Sequence, residues 1–87
     1  MNITALQTFL AIVDTGSLVR ASQVLHVTQS TVTARLKTLE DELGQQLLNR
    51  QKSGTTLTPA GTRLLRYARI MTGLWWDLGD GKTPKAA

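Results

Sequence analysis

The sequence predicts a mainly α fold: a winged helix-turn-helix, with a three-helix core and a small β-hairpin wing, followed by a long dimerisation or linker helix. Three observations predict it. Apolar residues recur at helical spacing in four stretches between Ile3 and Leu78. Two of these, Leu18 to Leu25 and Thr28 to Leu43, are joined by a turn of about three residues, which is the helix-turn-helix arrangement. Between the third and fourth stretches, two short segments flank Ser53-Gly54 as a hairpin would. The chain therefore divides into a winged helix-turn-helix at 1–58 (helix-turn-helix about 18–37, wing about 47–58), a linker and dimerisation helix at 59–78, and a flexible tail at 79–87.

A chain of 87 residues holds one domain at most, and a hydrophobic fraction of 41% suffices for a modest single core. There is no cysteine, which removes disulfides, thiolate nucleophiles and cysteine-based zinc sites and fits a reducing compartment. No basic region followed by an apolar run opens the chain, and no apolar stretch approaches the ~20 residues of a membrane helix. The expectation is a soluble, cytoplasmic protein with no membrane partner. The formal net charge is +4, but its placement says more than its sum. Acids occur only at Asp14, at Glu40-Asp41-Glu42, and at Asp77 and Asp80. The acid-free windows from Thr15 to Leu39 and from Leu43 to Trp76 hold Arg20, Arg35, Lys37, Arg50, Lys52, Arg63, Arg66 and Arg69. A positive surface uninterrupted by carboxylates is the footprint of a polyanion binder.

The first helix runs from about Thr4 to Thr15, with Leu6, Phe9, Leu10 and Val13 on one side and Ile3 extending that side. Asn2 or Thr4 can cap it, and Gly16 supplies the left-handed residue that ends it. Ser17 caps the second helix, in which Leu18, Ala21, Val24 and Leu25 can face the core. Ala21 and Ser22 are small enough for two helix axes to approach there. His26-Val27 makes the connection, with Val27 filling the corner.

Thr28 caps the third helix, on which the rest of the chain is organised. Val32, Leu36, Leu39 and Leu43 form its apolar edge. The opposite edge carries Ser30, Thr33, Ala34 and Lys37, with Thr31 and Thr38 beside them. Short hydroxyl side chains let a helix axis approach another surface closely and offer it donors and acceptors, as reading the major groove of DNA requires. The free N–H groups at Thr28 to Thr31 point where a phosphate can sit. Gly44 ends the helix. The wing follows, and its Arg50 and Lys52 suit a phosphate backbone or a minor groove.

Thr58-Pro59 opens the last helix with a hydroxyl cap and proline at the first helical position. Leu64, Ala68, Met71, Trp75 and Leu78 then follow a spacing of four, three, four and three. Tyr67 and Leu74 widen that stripe on one side, and Leu65 and Trp76 on the other. This is more apolar surface than so small a body covers. The reading is a homodimer through crossed or antiparallel copies of this helix, its interface drawn from Leu64, Tyr67, Ala68, Met71, Leu74, Trp75 and Leu78. The alternative is a last helix folded wholly onto its own core.

Catalytic chemistry finds no support. His26 is the only histidine and sits in a turn; Glu40, Asp41 and Glu42 are consecutive, splay apart and read as a solvated helix end. Gly54 and Gly61 lack the spacing of a phosphate loop. A non-enzyme without cofactor or metal is expected.

The ordered combination LHVTQS, LKTLEDELG, LLNR and LTPAG resembles the N-terminal winged helix-turn-helix domain of the LysR-type transcriptional regulators, over Leu6 to about Leu78. The resemblance implies sequence-specific binding of double-stranded DNA at an operator or promoter, by a dimer on an interrupted inverted repeat. By position, it implies that Gln29, Ser30, Thr31 and Thr33 approach bases. Ser17 and Thr28 would support backbone contacts, and Arg50 would be the basic residue of the wing. Many members have arginine where this chain has Ala34; Arg35 lies about 100° further round the helix, so it is expected to grip phosphate. Lys52 can substitute as a point charge for a second wing arginine, whose place Ser53 takes. The larger effector-binding domain that usually follows is absent from this chain, so no effector site is expected. Two other readings compete: a protein-interaction module on the same scaffold, and non-specific packaging of nucleic acid.

Overall fold

A computed structural model of the chain describes residues 2–51 and 54–78, except for the side chains of 74–78. The order is α1 (Ile3–Thr15), α2 (Leu18–Leu25), α3 (Gln29–Leu43), β1 (Leu48–Gln51), β2 (Gly54–Leu57) and α4 (Pro59–Leu78). This is the mainly helical winged arrangement expected, with the wing strands shorter than the segment 47–58. The expectations for Lys52 and for the tail 79–87 lie outside the described residues, as do those for the side chains of Leu74, Trp75 and Leu78.

Each of the first three helices begins where a short polar side chain takes over an orphan N–H. Asn2 Oδ1 accepts from the Ala5 amide at 2.8 Å, Ser17 Oγ from Arg20 at 3.3 Å, and Thr28 Oγ1 from Thr31 at 3.2 Å. Thr58 Oγ1 does the same for the Gly61 amide at 3.0 Å, starting α4. Each of the three helices also ends on a left-handed residue: Gly16, His26 and Gly44. His26, at φ 58°, is the one non-glycine residue of positive φ among those described. It turns the chain from α2 into α3 at a backbone conformation that a bulky β-branched residue would resist.

The core is built around α1, whose Leu6, Phe9 and Ile12 pack against α2, α3 and α4. Val32, Leu36 and Leu39 enter it from α3, Leu18 and Ala21 from α2, Leu64 and Ala68 from α4, and Leu47 and Leu48 from the root of the wing. Thr8 is fully buried among them, its hydroxyl donating to the Thr4 carbonyl at 2.9 Å. Ser22 is buried in the same way, donating to Val19.

Two apolar assignments need correction. Val24 does not face the core but is 61% exposed. At 100° per residue it sits well round α2 from the arc that holds Leu18, Ala21 and Leu25. Leu43 is also exposed, because it falls at the end of α3 where the chain turns away at Gly44.

The wing pairs β1 with β2 antiparallel, from Leu48 opposite Leu57 to Gln51 opposite Gly54. So small a hairpin needs support. The Thr55 amide donates to the Gly16 carbonyl at 3.3 Å, and Thr58 donates through its amide to Leu47 and through its hydroxyl to Gln46. Gly61 of α4 lies against the Leu47 carbonyl so closely that a Cβ would collide with it, so α4 can seat here only through a glycine.

Candidate nucleic-acid interface

Helix α3 buries Val32, Leu36 and Leu39 and turns its other side outward. Gln29, Ser30, Ala34, Lys37 and Thr38 are exposed, and Thr31 and Thr33 are half-buried. At the N-terminus the hydroxyls form a cluster. Thr28 Oγ1 lies 3.1 Å from Ser30 Oγ and 2.9 Å from Thr31 Oγ1, besides capping the Thr31 amide. Their rotamers are therefore coupled, and any one of them can present a donor or an acceptor outward.

The wing meets this helix side-on. Arg50 Nη2 donates to Thr33 Oγ1 at 3.2 Å, so the basic side chain of β1 is held against the second turn of α3. Arg50 also borders a notch with Ser17, Val19 and Gln29, where the first turns of α2 and α3 come together. Ser17, Gln29, Thr33 and Arg50, all site residues by the sequence pattern, are thus neighbours on one surface. A groove of about 310 Å³ continues it along α3, with Thr33, Lys37 and Glu40 on the helix and Gln46 and Arg50 on the other wall.

Arg35 is not part of that surface. Its Nη1 reaches Thr8 Oγ1 on α1 at 3.5 Å, and it borders a separate groove with Asn2, Thr4 and Thr38. The position after Ala34 thus turns toward α1 rather than toward the wing, and Arg35 makes a contact between helices. Glu40 also departs from expectation. Far from being a solvated end, its Oε2 accepts from the Leu47 amide at 2.7 Å and from the Leu48 amide at 3.4 Å. No sequence signal announces this contact, which spans a loop.

On α4 the apolar stripe splits in two. Leu64 and Ala68, expected at a dimer interface, are buried in the chain's own core, and Met71 packs against that core. Sequence spacing cannot tell a helix face that meets its own domain from one that meets a partner. Tyr67, by contrast, is 57% exposed, and Ile70, three residues further, is 59% exposed. Ile70 lies off the row that begins at Leu64, and its spacing of three from Tyr67 is the sequence signal that places the two on one side. Arg69, on a third side, pairs with Asp14 at 2.7 Å, which matches its charge locally. Among the described residues no group of His, Cys, Asp and Glu could hold a metal ion, and no helix is long and apolar enough to cross a membrane.

Known proteins share this shape. Residues 3–62 match the family described as "Bacterial regulatory helix-turn-helix protein, lysR family". The nitrogen assimilation regulatory protein nac of Escherichia coli (strain K12) is 49% identical over 71 residues, which are 82% of this chain and 23% of that protein. The chain thus spans about a quarter of that relative's length. Among solved structures, the DNA-binding domain of CbnR in a DNA complex superposes with a TM-score of 0.87 at 36% identity, covering 93% of both chains. That of BenM with catB site 1 DNA superposes at 0.82 with 28% identity, covering 93% of this chain and 92% of that one.

Proposed function

The chain belongs to the LysR family of bacterial regulatory helix-turn-helix proteins, and we propose that it is the part of a transcription regulator that binds double-stranded DNA, as a homodimer on an interrupted inverted repeat. It is not an enzyme; the relatives it matches are regulators. The observation that carries the reading is the hydrogen bond from Arg50 to Thr33, which makes the wing and the exposed polar side of α3 one continuous surface.

With α3 laid in the major groove, Gln29, Ser30, Thr31 and Thr33 approach base edges, and the Gln29 amide has the two-pronged pattern that suits adenine. Ser17, Thr28, Lys37 and Arg50 hold phosphates, and Lys52 adds charge at the wing. Arg35 is left to brace α3 on α1. The two domain units carry separate tasks: 1–58 reads DNA and 59–78 joins two copies. For that joining we favour the exposed pair Tyr67 and Ile70 over Leu64 and Ala68. A twofold axis across one helix row brings the same residues of both copies together. Among the described residues, the other exposed large apolar side chains, Val19, Val24 and Leu43, belong to other elements. DNA complexes of the CbnR and BenM domains support the reading by likeness.

Selection of bound sequences from random duplex DNA tests it, run beside a measurement of solution mass. The expected result is a pair of inverted half-sites bound by a dimer, with affinity falling steeply as salt rises because several phosphates are neutralised. A folded protein that retains no duplex at low salt would refute DNA binding, and a single unpaired half-site bound by a monomer would refute the dimer.

A further inference from the structure

Glu40 is the one carboxylate placed inside the groove between α3 and the wing, among Lys37 and Arg50. A carboxylate on a surface meant for phosphate should be a liability, and its contacts explain its presence. One oxygen takes both backbone amides at the root of β1, those of Leu47 and Leu48. Thr33, on the same side of the same helix, takes the Arg50 guanidinium. Thr33 and Glu40 are seven residues apart, a rise of about 10 Å in a helix. The extended stretch from Leu47 into β1 as far as Arg50 covers a similar span, at about 3.3 Å per residue. The two contacts are therefore in step: β1 runs back along α3, pinned at its root by Glu40 and toward its tip by Thr33.

We propose that Glu40 is a positioning residue for DNA binding: its carboxylate registers β1 on α3, and that register puts Arg50 beside Thr33 where it can reach phosphate. Glu40 itself touches no DNA. The opposite wall of the root is fixed independently by Thr58 and Gly61 against Leu47, so Glu40 controls the helix side of the wing and not its folding as a whole. The proposal rests on the DNA-binding reading for its consequence but not for its geometry.

Two arms keep these apart. In the free protein, Glu40→Ala should speed amide exchange at Leu47 and Leu48 by at least about tenfold, the loss of a charge-assisted bond, while Phe9 and Ile12 keep their protection. Unchanged exchange at Leu47 and Leu48 overturns the register claim, whatever the protein binds. On duplex DNA, Glu40→Ala should weaken binding about as much as Arg50→Ala, with the salt slope falling by about one. In the Arg50→Ala background it should add less than about twofold, because the two act through one contact. Glu40→Gln, which keeps an acceptor oxygen, should fall between wild type and Glu40→Ala, and carries both arms if Glu40→Ala does not fold. Were Glu40 only a charge near DNA, both substitutions would tighten binding; were it only a stabiliser of the fold, its loss would cost as much with Arg50 absent as with it present. Either result overturns the proposal. Failure of the wild-type chain to bind duplex refutes the DNA reading, and the exchange arm still decides the register.

Discussion

Helices α3 and α4 are built alike and finished differently. Each buries one row of aliphatic side chains: Val32, Leu36 and Leu39 on α3, Leu64 and Ala68 on α4. Each turns a second row outward. On α3 that row is hydroxyl, amide and ammonium, joined by a wing arginine; on α4 it includes Tyr67 and Ile70. The buried rows determine only that both are helices of one domain. The outer rows determine what each helix can meet, since a short polar row suits the edges of base pairs and a compact apolar row suits another protein surface. Function is written in the half of each helix that the fold does not need.

The largest expected effect removes what the two helices share. Leu39→Ala and Leu64→Ala should each lower unfolding free energy by about 2–5 kcal/mol, the range for large-to-small changes in a packed core, with Leu39 the costlier because it is fully buried. Domains of this kind have only about 5–15 kcal/mol in all, so loss of DNA binding in either variant would be a folding effect. Lys37→Ala, on an outer row, should stay within about 0.5 kcal/mol in the same denaturant titration. A buried-row substitution as mild as that one would mean the rows are wrongly assigned.

Next comes the apolar outer row. Ile70→Glu should leave helicity and melting nearly unchanged but convert a dimer to a monomer in sedimentation. Two linked reading heads gain about 10²–10⁴-fold over one. The variant should therefore bind a full inverted repeat hardly better than a half-site. A dimer that survives Ile70→Glu would move the interface off this row.

The same contrast separates what is legible in the sequence from what is not. Helix ends were legible because their chemistry is local: Asn2, Ser17, Thr28 and Thr58 cap within three residues, and Gly16 and Gly44 close the same turns. The outer side of α3 was legible because hydroxyls in a row are rare on a solvated helix. What was not legible was whatever depends on distant neighbours. Arg35 turns to Thr8, twenty-seven residues away in sequence; Glu40 reaches over the loop to Leu47; Leu64 and Ala68 are buried in the chain's own core. Val24 failed for a smaller reason: in a helix of two turns an apolar residue can lie off the buried arc without spoiling the pattern.

A smaller effect tests the polar outer row. Gln29→Ala should lower discrimination at one base pair of each half-site by about 1–3 kcal/mol and leave binding to other sequences almost unchanged. Arg50→Ala should do the reverse, weakening all sequences alike. Equal losses on every sequence for both would mean that α3 is not the reading element.

The smallest effect decides how far the DNA-binding surface extends. Arg69 belongs by sequence to the same acid-free window as Arg50, yet it is paired with Asp14 across α1 and α4, both side chains about half exposed. An ion pair so open to solvent is worth at most about 1 kcal/mol and is weakened by salt. Arg69→Ala should therefore shift stability by less than that. It should also leave the salt slope of DNA binding where it was, because its charge is already matched within the chain and releases no counterion from DNA. Arg50→Ala, whose partner is a neutral hydroxyl, should lower that slope by about one. If the two substitutions lowered it equally, the basic surface would run on from the wing across α4, and the division of labour between a polar helix for DNA and an apolar one for a second copy would not hold.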